Sequence, residues 1–138
     1  MMNKKAKSFV VIMMVIALSA LALRMLVGEF LSVTSSQNES NALSTLKLIS
    51  AAFENYAKDH QGNYPDKLPV LIQSKPPYLD KDYIKQSPLK GYIYNCSRLD
   101  AAGYSCYALP ARCKLSGRSN FTVSTGSLLI SEDCDTKE

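Results

Sequence analysis

After a short basic opening, MMNKKAK, comes the run SFVVIMMVIALSALALRMLVGEFL, and it limits this chain more than any other stretch. No charge interrupts Phe9 to Leu23, and apolar residues continue past Arg24 to Leu31. About 20 apolar residues suffice to cross a bilayer as a helix. Phe9 to Val27 meets that length if Arg24 extends its head group toward the far interface. Residues 1–8 therefore read as a basic cytoplasmic leader and residues 9–31 as a single transmembrane anchor. Lysines on the N-terminal side place that end in the cytoplasm and the rest outside. A cleavable signal peptide competes with this reading, because Ala20-Leu21-Ala22 fits a small-x-small cleavage pattern. Apolarity persisting beyond that point favours the retained anchor, and both readings export the remainder.

The exported part is a single small domain of about 100 residues. Residues 1–31 carry a net +3 and residues 32–138 only +1 of the chain's total of +4. Without a basic stripe, nucleic-acid binding has no electrostatic footprint.

Residues 32–41, SVTSSQNESN, form a polar connector that reads either as a flexible tether or as a helix that restarts or continues out of the membrane. From Ala42 the pattern is helical. Ala42, Leu46, Ile49, Phe53 and Tyr56 form one stripe, widened by Leu43, Ala52 and Ala57, while Lys47, Glu54, Lys58 and Asp59 fall off it. The helix is expected over 42–61. Gly62 stops it, and the residue before Pro65 is forced into an extended exit. Leu68 and Leu71 suggest a further helical turn, and Tyr78, Leu79, Tyr83 and Ile84 pin a loop. Alternating β-rich runs follow over 91–131: GYIYNC, GYSCYALP and NFTVSTGSLLIS, with turns at Leu99–Gly103 and Gly126. The expected fold is α+β, one amphipathic helix packed on a small antiparallel meander, each covering the other's apolar face.

In order and spacing over roughly residues 40–131, this pattern resembles the type IV pilin-like family, in particular the major pseudopilin of type II secretion. The resemblance rests on ALSTLKLISAAFENYAKDHQGNYPDKLPVL, PPYL, GYIY, GYSCYALP and SGRSNFTVSTGSLLI. It implies a structural subunit in a bacterial inner membrane, with its C-terminal domain in the periplasm and other pilin-like subunits as partners. It implies neither an enzyme nor a small-molecule substrate. The N-terminus departs from the family pattern. Aligning Phe9 with the family's first mature residue puts Ser8 where a Gly precedes cleavage. Met13 then stands where a Glu helps register the next subunit, and Phe30 lies near the usual kinking proline. These departures imply inefficient leader removal and a minor or tip-like place in an assembly. The other class left open is a stand-alone anchored binding domain that keeps the fold and does not assemble.

Cys96, Cys106, Cys113 and Cys134 are even in number and exported, which reads as two bridges. Three connectivities are possible. Neighbouring strands with both cysteines inward favour Cys96–Cys106, and Cys113–Cys134 would then tie down the C-terminal hairpin. Zinc is disfavoured by the cysteine spacing and by a single histidine, His60, which reads as a helix-end or solvent-exposed residue. Family relatives bind calcium in a loop of the sheet, which makes Glu132, Asp133 and Asp135 weak candidates, though a solvated acidic tail is the plainer reading. No other cofactor is expected. Asn38, Asn95 and Asn120 head N-glycosylation sequons, normally chance matches in a bacterium.

Overall fold

The computed structural model describes residues 4–135; residues 1–3 of the leader and 136–138 of the tail lie outside the described residues. It is α+β. A long N-terminal helix, α1 (Lys4–Asp59), precedes a short helix α2 (Leu68–Gln73) and four strands, β1 (Tyr92–Asp100), β2 (Gly103–Pro110), β3 (Ser119–Ser124) and β4 (Leu128–Asp133). The strands form one antiparallel sheet in chain order. The chain divides into two compact units between Thr34 and Ser35.

Of the two readings of residues 32–41, the structure has the continuing helix. Short polar side chains usually compete with helix by bonding to nearby backbone. Here the Thr34 hydroxyl turns back onto the Phe30 carbonyl one turn earlier, at 2.9 Å, and just beyond the stretch Ser44 does the same to Ser40. The helix expected at 42–61 is thus the C-terminal part of a 56-residue element that ends at Asp59. Gln61 and Gly62 take positive φ, and the Gly62 amide donates to the Ala57 carbonyl at 2.7 Å, closing the last turn.

In the second unit the helical stripe and the inner face of the sheet make one core. Ala42, Leu46, Ile49, Ala52 and Phe53 pack with Tyr92, Tyr94, Tyr104, Cys106, Ala108, Phe121 and Val123, all of them buried. Alternation along each strand puts those sheet residues on one face. Phe53 stacks on Tyr104 with ring centroids 4.5 Å apart. Leu68, Leu71, Leu79 and Tyr83 seal one side of the core from the long connection after Pro65. Tyr78 and Ile84, expected to pin that connection too, are only half-buried.

Strand β1 runs further than the GYIYNC motif suggests, to Asp100, with a register irregularity between Cys96 and Arg98. Asp100 closes the tight β1–β2 turn by accepting from the amides of Ala102 and Gly103. The Arg98 guanidinium beside it, bonded at 2.7 Å, holds the Asp100 carboxyl below the usual range.

Candidate functional site

The first surface of interest is the apolar part of α1. Phe9, Leu18, Leu21, Leu23, Leu26 and Phe30 are all more than half exposed, and no residue of the apolar window is buried. This helix is long and apolar enough to cross a membrane. Ser8, Phe9 and Met13 lie within α1, with Met13 one turn beyond Phe9 and exposed.

The second unit is fastened to its helix at two ends. At one end Asn38 donates to the Ser116 carbonyl at 2.9 Å, and Glu39 accepts from the Arg118 amide at 2.6 Å. Both residues belong to the stretch read as a connector, and they anchor the β2–β3 loop. That loop leaves no room at Gly117, where an added Cβ would overlap the ring of buried Tyr92. Tyr92 donates its hydroxyl to the Ser119 carbonyl, and burial pushes its pKa up to about 12.

At the other end Glu54 collects three donors. Its Oε2 accepts from the Tyr64 hydroxyl at 3.0 Å, and its Oε1 accepts from the Tyr104 hydroxyl at 2.9 Å and the Gly126 amide at 2.7 Å. One carboxylate thereby ties α1 to the loop after Gly62, to β2 and to the β3–β4 turn. Ser50 extends the network, with its hydroxyl 2.9 Å from that of Tyr104 and 2.7 Å from that of Ser127. Burial, with the Glu54 carboxylate added, raises the Tyr64 hydroxyl pKa. Burial takes Tyr104 to about 12, the Ser50 hydrogen bond opposing and Glu54 reinforcing the shift. Sequence periodicity placed Glu54 off the buried stripe and gave it no role. The available clue was YA…G-YP: a tyrosine beyond the helix stop is positioned to fold back onto a side chain of the last turns.

The four cysteines form the two favoured pairs, Cys96–Cys106 across β1–β2 and Cys113–Cys134 between the β2–β3 loop and the end of β4. Cys113, Cys134 and Asp135 lie close together, but both sulfurs are committed to the bridge and offer no thiolate. The structure does not gather the calcium candidates into one site. Glu132 and Asp133 are successive residues of β4 and project to opposite faces, and Asp135 is ion-paired with Lys114. That pair raises the Lys114 pKa. His60 is exposed, stacks on Tyr56 at 3.8 Å and approaches the Tyr56 carbonyl through Nδ1 at 2.8 Å. Of the sequon asparagines, Asn38 is engaged with the β2–β3 loop, Asn95 is exposed and Asn120 is half-buried.

No family model, curated protein or solved structure matches this chain.

Proposed function

We propose that the protein is a pilin-like or pseudopilin-like structural subunit, and not an enzyme. It is held in a bacterial inner membrane by residues 9–31, with the N-terminus in the cytoplasm and the disulfide-bonded domain in the periplasm. One observation carries the reading. A single unbroken helix, Lys4–Asp59, is apolar and uncovered in its first half, while its second half is the core element beneath an antiparallel meander. An uncovered apolar helix of this length requires lipid or other helices around it. A folded domain that continues from the same helix is what a scaffold built from packed helices displays. Met13 in place of a carboxylate assigns the chain a minor or tip-like position beside other pilin-like subunits.

The test is photo-crosslinking from positions in Phe9–Leu31 in native membranes. Adducts with other pilin-like proteins are expected, and Met13→Glu should increase them. The same Met13 favours the second reading, a stand-alone anchored domain. A chain that crosslinks only to lipid, and that Met13→Glu leaves unchanged, would establish that reading instead. Topology is checked separately: protease added from outside should remove the C-terminal domain and spare a tag at the N-terminus.

A further inference from the structure

The apolar half of α1 carries two charges within its last turns, Arg24 and Glu29. Both side chains are exposed, and among the described residues neither forms an ion pair or a hydrogen bond. Their spacing explains why. Five residues along a helix place them about 140° apart around the axis and ~7.5 Å apart along it. Only residues three or four apart face one another on one helix. The chain therefore cannot close this pair on itself, yet a charge in or beside hydrocarbon is costly and normally finds a partner.

We infer that Arg24 of one copy pairs with Glu29 of a second copy lying parallel beside it. This rests on the membrane-anchored reading above. Copies inserted by the same basic leader share one orientation, so neighbouring anchors are parallel. Glu29 of the neighbour then stands ~7.5 Å nearer the outer interface than Arg24. That is the direction in which an arginine extends its guanidinium to escape hydrocarbon. The two charges occupy different faces of the helix. Arg24 lies in line with Ala17, Ala20 and Gly28, and Glu29 with Leu18, Ala22 and Met25. The opposite charges carry the inference; the small residues show only that the Arg24 side allows close approach. A Cβ at Gly28 would meet nothing within 4 Å.

The two side chains flank the face between them, the arrangement of the charged positions beside the seam of a parallel two-stranded coiled coil, so two copies can form both Arg24–Glu29 contacts about a two-fold axis. The pairing concerns anchors within the membrane and requires no filament.

The experiment uses two differently tagged full-length copies with a photoreactive residue in place of Leu31, on the Arg24 side. Arg24→Glu and Glu29→Arg each reverse a charge without removing one. Each variant alone should lower self-crosslinking by about tenfold, the factor that follows from losing ~1.4 kcal/mol. Co-expressing the two variants, or combining both changes in one chain, should restore crosslinking to within about twofold of the wild type. Single variants that crosslink like the wild type would overturn the pairing, as would a loss that neither combination repairs. Retention after alkaline carbonate washing separates the two levels of the argument. If the wild type washes out, the membrane reading fails and the inference with it. If it is retained and the swaps behave wrongly, only the pairing fails.

Discussion

Replacing Glu54 tests how the domain is held to its helix. Its carboxylate accepts from Tyr64, Tyr104 and Gly126, so Glu54→Ala removes three charge-assisted hydrogen bonds at once. The partners do not suffer equally. The Gly126 amide is exposed and can turn to water, Tyr64 is half-buried, and the buried Tyr104 hydroxyl keeps Ser50. Bonds to charged groups are worth about 1.5–3 kcal/mol each when buried. Rehydration of two donors and the remaining partner of the third reduce the total to about 2–3 kcal/mol. For a domain of about 100 residues that lowers Tm by roughly 8–24 °C. Glu54→Gln should cost far less, about 1 kcal/mol. Its amide oxygen can replace Oε1 for Tyr104 and Gly126, and its amide nitrogen can donate to a rotated Tyr64 hydroxyl. Near-ultraviolet circular dichroism of the full chain in detergent is the assay. The protein has no tryptophan, and all eight tyrosines lie beyond Ser35, so the tyrosine signal reports the second unit alone. A Glu54→Ala Tm within about 2 °C of the wild type, on the ~4–8 °C per kcal/mol scale, would refute the clamp. Equal losses for Ala and Gln would refute the hydrogen-bond accounting.

Leu46 is fully buried and Leu48, two residues on, is 55% exposed; Leu46→Ala should cost about 2–5 kcal/mol and Leu48→Ala under about 0.5 in denaturant titration. On the chain-entropy model each disulfide contributes about 3 kcal/mol. Cys134→Ser should expose one reactive thiol, mapped to Cys113 by alkylation and mass spectrometry; labelling of Cys96 or Cys106 would contradict the pairing. Tyr83, Tyr92 and Tyr104 have folded-state pKa values raised from 10.0 to about 12, by burial first in each case. Their protonated form is the one the fold favours, so their contribution is complete below pH 10 and is lost as pH rises through 12. Tyrosinate absorbance and near-ultraviolet dichroism should change together in that window; full tyrosinate absorbance near pH 10 with the fold intact would contradict the burial argument.

Periodicity and punctuation alone determined much of this protein. An unbroken apolar run has few physical outcomes, the stripe from Ala42 to Phe53 has one period, and alternating tyrosines have one inward face. The cysteine pairing was readable because Cys96 and Cys106 sit on inward positions of strands joined by a short turn. Tertiary structure alone decided what the polar residues do. SVTSSQNESN became helix because Thr34 bonds back to Phe30 and because Asn38 and Glu39 are held by a loop some 80 residues away, at Ser116 and Arg118. Glu54 became a clamp because three donors, distant in sequence, converge on it. Strand alternation put Glu132 and Asp133 on opposite faces of β4, while Asp133 and Asp135 both act on Lys114. A hydrophobic residue's place follows from its own transfer free energy and its neighbours' spacing. A polar residue's place depends on which partners the finished fold brings within hydrogen-bond reach, and no local pattern encodes that.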